Sequence, residues 1–148
     1  MGGRYLIRPT GSEDAIQLAR LERELFTDPW SAASFRELCG ADSLAVFEGE
    51  TLVGYLIGRI IGEQAEILNL GVSPPYRRRG HARRLVLSFL QKAADNGVAT
   101  VFLEVRESNM AARELYRDLG FKPIGRQRRY YSDPIENAIV LARDLDQT

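Results

Sequence analysis

The sequence predicts an α/β fold in which a mixed β-sheet carries helices on both faces. Segments with the apolar spacing of amphipathic helices alternate with short strand-like segments along the 148 residues. Helix caps, glycines and prolines separate these segments and give the order β-α-α-β-β-β-α-β-α-β-β. A chain of this length is expected to form a single domain, residues 1–148, whose core needs no disulfide.

The first half of the chain is predicted to contain one strand, two helices and then three strands. Ser12 precedes two acids and is the expected N-cap of the first helix. Glu48-Gly49-Glu50 is typical of a hairpin turn between two of the strands. The elements are a strand at 5–8, a helix that ends before the break at 28–31, a short helix to about Cys39 that Gly40 stops, and strands at 43–47, 51–61 and 65–72.

The second half adds two helices and three strands. Leu85, Phe89 and Ala93 share the apolar face of the first of these helices. Gly120 lies where a left-handed C-cap belongs after the second helix, and Phe121 supplies the accompanying apolar contact. The elements are a helix at 82–96, a strand at 100–105, a helix at 109–119, and strands at 124–131 and 138–143.

Composition limits the class of protein. Apolar residues make up 45% of the chain and charged residues 27%, which is typical of a globular protein. No apolar run approaches the roughly 20 residues of a membrane span, and the N-terminus lacks the apolar segment of a signal peptide. Cys39 is the only cysteine, so no internal disulfide can form and a cytoplasmic protein is expected.

Charge is unevenly distributed, although the net charge is zero. Residues 1–70 carry a net charge of −5 and residues 71–148 a net charge of +5. The C-terminal half could therefore hold an anionic ligand and the N-terminal half a cationic one. Two solvated surfaces without a ligand would give the same totals.

The segment VSPPYRRRGHARRL concentrates positive charge around Gly80, between a strand and a helix. Free backbone amides and the positive end of the helix dipole favour an anion at such a position. The glycine allows close approach, and the arginines can donate charge-assisted hydrogen bonds to phosphate. The P-loop and dinucleotide-binding motifs are both absent. A helix start without a ligand is the alternative, but arginines there would oppose the helix dipole.

The motif Arg77-Arg78-Arg79-Gly80-His81-Ala82 resembles the pyrophosphate-binding loop of GCN5-related N-acetyltransferases (GNAT), whose pattern is Q/R-x-x-G-x-G/A. The order of strands and helices is similar over nearly the whole chain. The resemblance implies a GNAT fold, with a mixed, mostly antiparallel central sheet of about seven strands, splayed in the middle, and about four helices on both faces. It also implies acetyl-CoA as cosubstrate, no metal, and a pyrophosphate held by the loop amides. The side chain of His81 is expected to be solvated.

The strand around 101–106 carries one acid, Glu104, among apolar residues. Burial would raise the pKa of this carboxyl toward that of a useful general base, but a salt bridge to a nearby arginine fits the pattern equally well. The stretch LEVRESNMAARELYRDLGF resembles the RimI-type subfamily. This resemblance implies that Glu104 is the general base, Tyr116 the general acid and Asn109 a cofactor contact. The structural alternatives are a core tyrosine and a helix N-cap.

The resemblance also implies a bulge at the strand end formed by Leu70, Gly71 and Val72. The bulge would separate this strand from the one that carries Glu104. The opened edge would bind the pantetheine arm, and one of its amides would polarise the acetyl carbonyl.

Two aromatic segments resemble the acceptor-binding parts of RimI-type enzymes. Asp28-Pro29-Trp30-Ser31 resembles their PWS element, and Arg128-Arg129-Tyr130-Tyr131 resembles RRxYY with one residue missing. Trp30, Tyr130 and Tyr131 are therefore expected to contact substrate, with core packing as the alternative. The implied reaction is direct acetyl transfer, in a ternary complex, to a protein N-terminal α-amine. In this subfamily the typical acceptor is the alanine that opens a small-subunit ribosomal protein.

Other functions stay open from the sequence. A GNAT enzyme that acts on a lysine or small-molecule amine fits the same motifs, as does a non-catalytic acyl-CoA sensor. Nucleic-acid binding through the arginines ranks last, because no aromatic residues are interleaved with them. The expected partner is a protein or peptide N-terminus, without a membrane or direct nucleic-acid contact.

Overall fold

The structure, a computed structural model, describes residues 4–145 and confirms the predicted order of strands and helices. Two short 3₁₀ turns, Ser12–Asp14 and Pro74–Tyr76, are additional. The strands are β1 (Leu6–Pro9), β2 (Leu44–Glu48), β3 (Thr51–Ile61), β4 (Gln64–Val72), β5 (Thr100–Arg106), β6 (Lys122–Tyr131) and β7 (Glu136–Asp144). The helices are α1 (Ala15–Leu25), α2 (Ala32–Leu38), α3 (His81–Asp95) and α4 (Met110–Asp118).

Seven strands form one sheet in the order β1-β2-β3-β4-β5-β7-β6. Neighbouring strands are antiparallel except for β4 and β5, which run parallel. Parallel neighbours need a crossover connection, and α3 lies in it. The predicted fold class, a mostly antiparallel mixed sheet with four helices, is therefore confirmed.

Apolar clusters cover both faces of the sheet. Helix α3 packs on one face, where Leu85 and Phe89 are fully buried. Helices α1 and α2 pack on the other face around Leu18, Phe35 and Tyr55. Because the middle of the sheet is covered on both sides, groups at its edges are held by a well-packed scaffold.

The sheet splays open between β4 and β5. The two strands pair only from Gln64 opposite Thr100 to Ile67 opposite Leu103. On the other side of β4, the register with β3 shifts so that Leu68 is the extra, bulged residue. After this bulge β4 pairs with β3 alone, and its edge toward β5 has no strand partner.

The bulge, at Leu68, lies two residues before the strand end from Leu70 to Val72 for which it was predicted. Gly71 pairs regularly with Tyr55 of β3. Its role is instead to leave space, since a Cβ at this position would lie 2.7 Å from Cδ1 of Leu25 and 2.7 Å from the Tyr55 hydroxyl. The splay is thus present, while the glycine serves the close approach of α1 to the sheet.

The starts of α2 and α1 differ in how they are capped. Ser31 caps α2 by accepting a hydrogen bond from the Ser34 amide at 3.1 Å. Ser12 does not cap the first helix as predicted, because a 3₁₀ turn precedes α1 and Asp14 accepts from the Gly11 amide at 2.9 Å. Within residues 4–145, no helix combines the length and the hydropathy needed to cross a membrane.

Candidate active site

A cavity of about 620 Å³ opens where β4 separates from β5. Its wall consists of the end of α1 with the α1–α2 loop, the separated halves of β4 and β5, and the first turns of α4. Six of the residues predicted for the site line it, namely Trp30, Leu70, Glu104, Asn109, Tyr116 and Tyr131.

Glu104 presents a half-buried carboxylate to this cavity from β5. Burial raises the pKa of the carboxyl above its usual value, and the negative charge of Glu66 on the neighbouring strand raises it further. Tyr130 opposes this shift by donating its hydroxyl to Oε1 of Glu104 at 3.2 Å. The balance is a carboxyl with an elevated pKa, which suits a group that accepts a proton near neutral pH.

Glu104 does not form the salt bridge that its sequence pattern also allowed. The nearby Arg59 pairs with Glu66 at 2.9 Å, and Arg106 pairs with Glu136 at 3.2 Å. Within the described part of the chain no arginine or lysine lies within ion-pair distance of Glu104. Its charge is therefore available to a group that enters the cavity.

Tyr116 reaches the cavity from α4. Its ring packs edge-on against Phe121 at 5.3 Å between centroids, and the residue is 4% exposed. Burial raises the pKa of the phenol above its usual value. Its hydroxyl bonds to no other described residue, although every fully buried side-chain N or O atom there has a partner. The hydroxyl must therefore be accessible, and because Tyr116 lines the cavity, its ring belongs to the core while its hydroxyl opens onto the cavity.

Asn109 has the capping role that the sequence allows. Its Oδ1 accepts a hydrogen bond from the Ala112 amide at 3.2 Å at the start of α4. The same residue lines the cavity. Capping uses the carbonyl oxygen, so the side-chain NH₂ group can still donate to a ligand.

The loop from Arg77 to Ala82 has the geometry of an anion site at the start of α3. Gly80 is the N-cap and adopts a left-handed φ of 83°, and Arg78 is also left-handed with φ 64°. Among the described residues, the amides of Arg78, Arg79 and Gly80 have no acceptor. The first amides of the helix lack an acceptor by position. These amides therefore form a row of free donors at the positive end of the helix.

The prediction for the His81 side chain is wrong, because this imidazole is 2% exposed instead of solvated. Its Nε2 donates to Oε2 of Glu48 at 2.7 Å, and its ring lies edge-on to Tyr5. A signal was present in the sequence. His81 precedes Leu85 by four residues and Phe89 by eight, which places it on the buried face of α3.

The predicted acceptor-contact residues lie at one end of the cavity. Trp30 and Tyr131 line it, while Tyr130 is half exposed and reaches Glu104 through its hydroxyl. Residues 128–130 form an irregular bulge on β6, since Gln127 pairs with Ala138 and Tyr131 with Glu136. This bulge turns both tyrosines toward the splay despite the missing residue.

The residues predicted to bind the cofactor fall into two groups. Leu70 lies in the cavity wall, and Gly71 and Val72 continue the open edge of β4 beyond it. The loop from Arg77 to Ala82 does not line the cavity but begins five residues after that edge ends. An extended ligand would have to run from the loop along β4 to reach Glu104.

One carboxylate of the cavity wall, Glu22, is absent from the sequence predictions. It is 2% exposed and accepts hydrogen bonds from the Tyr55 hydroxyl, from the Trp30 amide at 3.0 Å and from Nδ2 of Asn69 at 2.9 Å. It thus joins α1 to the α1–α2 loop, β3 and the residue after the bulge. Its position four residues after Leu18 places an acid on the apolar face of α1, a signal that could have identified it.

The carboxylates do not form a metal centre. Among residues 4–145, no three His, Cys, Asp or Glu side chains are grouped closely enough to hold an ion.

The sequence matches the model of the acetyltransferase (GNAT) family over residues 15–121. It is 41% identical over 140 residues to the N-alpha-acetyltransferase RimI of Mycobacterium tuberculosis, covering 88% of this chain and 87% of that protein. The fold is similar to the crystal structure of the ribosomal-protein-S18-alanine N-acetyltransferase from Escherichia coli, with a TM-score of 0.91, 29% identity, and coverage of 98% and 96% of the two chains. It also resembles Arabidopsis thaliana NAA60 in complex with acetyl-CoA, with a TM-score of 0.87, 20% identity, and coverage of 96% and 100%.

Proposed function

Because the chain belongs to the acetyltransferase (GNAT) family, we propose that it transfers the acetyl group of acetyl-CoA to the α-amine of a protein N-terminus. The observation that carries this proposal is the cavity at the splay, into which Glu104 and Tyr116 both open. Acetyl transfer from a thioester needs a base for the amine and an acid for the leaving sulfur. The two side chains supply that pair.

The free amides at the start of α3 fit the pyrophosphate of acetyl-CoA. Gly80 has no side chain to block close approach, and three consecutive amides from Arg78 to Gly80 lack an acceptor among the described residues. The open edge of β4 from Leu70 to Val72 fits the amide-containing pantetheine arm in the way that one strand fits another. Bound in this way, acetyl-CoA supplies an activated acetyl group at the splay.

Glu104 removes the proton that the ammonium form of the acceptor must lose before it can attack. An α-amine has a pKa of about 7.7–8.0 and is mostly protonated at neutral pH. The elevated pKa of Glu104 matches the carboxylate to this task better than an ordinary glutamate. The amine attacks directly, because Cys39, the only thiol of the chain, does not line the cavity.

Tyr116 supplies the proton that the leaving sulfur gains. Its raised phenol pKa keeps the hydroxyl protonated at neutral pH. An N-terminal ammonium loses two protons on becoming an amide: the first passes to Glu104 before the attack, and the second leaves the nitrogen as the carbon–sulfur bond breaks. Tyr116 donates one proton to the sulfur and the second nitrogen proton restores its phenol, so the net release is the single proton held by Glu104.

The wall of the cavity favours a positively charged acceptor. It carries the acids Glu22, Asp28 and Glu104, and its single arginine, Arg106, is paired with Glu136. This excess of negative charge attracts an N-terminal ammonium group. The similarity to the Escherichia coli enzyme supports a finer proposal, the N-terminal alanine of a small-subunit ribosomal protein. Trp30, Tyr130 and Tyr131 would contact its first residues.

We expect the enzyme to act in the cytoplasm on a protein N-terminus, without a membrane or nucleic-acid partner. Two of the loop arginines have partners within the fold, since Arg77 donates to the Val72 carbonyl at 3.1 Å and Arg79 pairs with Glu48. This leaves fewer free guanidinium groups for a polyanion than the sequence suggests.

The direct test compares peptides in an assay for free thiol released from acetyl-CoA. One peptide carries a free N-terminal alanine, a second has this amine blocked but contains lysine, and a third set begins with other residues. Thiol release with the first peptide alone supports the proposal. Release with the blocked lysine peptide would favour lysine acetylation. Binding of acetyl-CoA without release to any amine would favour an acyl-CoA sensor.

A further inference from the structure

The side chain of Glu48, at the end of β2, contacts the loop at the start of α3. Its Oε1 accepts from Nη1 of Arg79 at 2.6 Å, and its Oε2 accepts from Nε2 of His81 at 2.7 Å. The Glu48 side chain is 14% exposed, and the imidazole is 2% exposed. One carboxylate therefore connects the two residues that flank Gly80.

The loop needs such a support because its backbone is strained. Arg78 has a φ of 64°, a left-handed conformation that is unfavourable for a residue with a Cβ. Conformations of this kind persist where surrounding contacts over-determine them. A second contact also supports the loop. Nη1 of Arg84 donates to the Arg79 carbonyl at 2.7 Å.

The groups around the imidazole come from three parts of the chain. Glu48 lies on β2, Arg79 and Arg84 on the loop and helix, and the Tyr5 ring before β1. The Tyr5 ring also lies under the guanidinium of Arg84 at 4.3 Å. The carboxylate of Glu48 is the negative charge that balances this basic cluster, and its pKa is lowered by the hydrogen bond to His81 and by Arg79.

We propose that Glu48 is a positioning residue for cofactor binding, which fixes Arg79 and His81 so that the loop amides point toward the pyrophosphate. This inference rests on the proposed function. It gives Arg79 a structural task instead of a phosphate contact. Glu48 therefore contributes to binding of the part of the ligand that lies beyond the pantetheine arm and contains the pyrophosphate. It does not affect Glu104 or Tyr116.

The test compares acetyl-CoA with S-acetylpantetheine, a thioester that lacks the pyrophosphate. In Glu48→Gln we expect the KM for acetyl-CoA to rise about tenfold, as for the loss of a charged hydrogen bond, with kcat unchanged. The kcat/KM for S-acetylpantetheine should not change. Glu50→Gln is the matched control, because it alters an exposed glutamate of the same hairpin turn and should affect neither cosubstrate.

Equal losses with both thioesters, or no change with acetyl-CoA, would overturn the assignment. Thermal unfolding identifies a variant that has lost its fold. His81→Asn then provides a second probe, for which we expect the same difference between acetyl-CoA and S-acetylpantetheine. If the wild-type protein acetylates no amine, the proposed function fails by itself. Calorimetric titration with coenzyme A still decides the role of Glu48, because Glu48→Gln must bind the ligand about tenfold more weakly than Glu50→Gln.

Discussion

The hydroxyl of Tyr130 donates to Oε1 of Glu104 at 3.2 Å, and the carboxylate of Glu66 lies on the neighbouring strand and faces the same side. The two neighbours act on the Glu104 carboxyl in opposite directions. The hydrogen bond stabilises the ionised form and lowers the pKa, whereas the negative charge destabilises that form and raises it. Burial is the main cause of the raised pKa of the proposed base, and the donor and the like charge adjust it in opposite directions.

The first prediction is a pair of opposite shifts in the pH profile of kcat/KM. Activity should increase with pH as Glu104 loses its proton, since the base acts in its ionised form. Tyr130→Phe removes the donor, so the Glu104 pKa should rise and the acidic limb should move to higher pH. Glu66→Gln removes the like charge, so the limb should move to lower pH. Shifts of equal sign in the two variants would contradict this arrangement.

The second prediction concerns Glu104→Gln. This change should lower kcat by about 10²–10⁴-fold, the range typical of general-base catalysis. The same variant should unfold at an equal or higher temperature at pH 7, because it removes a half-buried charge that lies near Glu66. Steady-state kinetics and a thermal scan test both parts. Undiminished turnover would refute the role of Glu104 as the base.

The linkage of Glu104 to stability has a definite sign. A carboxyl whose pKa is raised in the folded state binds its proton more tightly there than in the unfolded chain. Its ionisation therefore reduces stability as pH rises from the unfolded pKa of about 4.3 through the higher folded value. Above that window the wild-type protein carries the cost of an ionised carboxylate at a half-buried position. The glutamine variant carries no charge there at any pH.

Local sequence signals predicted the order of the elements and the position of Glu104. The apolar spacing of α3 and α4 and the alternation along β5 are properties of single segments, so they can be recognised without knowing the fold. The half-burial of Glu104 follows from its position among apolar residues of β5. The row of free amides at Gly80 follows from a strand, a glycine and a helix start in succession.

The features that the sequence did not predict depend on contacts between segments. The bulge at Leu68 is defined by how β4 pairs with β3, whereas the resemblance implied a bulge only for the strand end from Leu70 to Val72. The spacing of α3 places His81 on the buried face of the helix, but its partner Glu48 is 33 residues distant in sequence, so the contact between the two depends on the fold. The network at Glu22 joins α1, β3 and β4, and no single segment shows it.

The third prediction concerns the Glu22 network. Glu22→Ala should reduce the free energy of unfolding by about 3 kcal/mol, because it leaves the fully buried Tyr55 hydroxyl and the partly buried donors of Trp30 and Asn69 without their acceptor. Urea unfolding at equilibrium measures the loss. Glu24→Ala, an exposed glutamate on the same helix, is the control and should change the free energy by less than about 0.5 kcal/mol. Similar losses in both variants would show that the network adds nothing specific.

The fourth prediction concerns the space that Gly71 leaves between α1 and the sheet. Gly71→Ala places a Cβ 2.7 Å from both Cδ1 of Leu25 and the Tyr55 hydroxyl, so both contacts must be relieved by movement. We expect a loss of about 1–3 kcal/mol in the free energy of unfolding, as for other overpacked cores.

Gly125→Ala on β6 is the matched control for this substitution, because a Cβ there meets no atom within 4 Å. It should be neutral or slightly stabilising, since alanine restricts the unfolded chain. Because Tyr55 donates to Glu22, displacement of its hydroxyl by Gly71→Ala should also disturb the cavity wall. The effects of Gly71→Ala and Tyr55→Phe are therefore coupled. The double variant should lose less free energy of unfolding than the sum of the losses in the two single variants. Strict additivity in urea unfolding would place the strain at Leu25 and at Cζ of the Tyr55 ring, which lies 2.8 Å from the added Cβ and is retained in Tyr55→Phe.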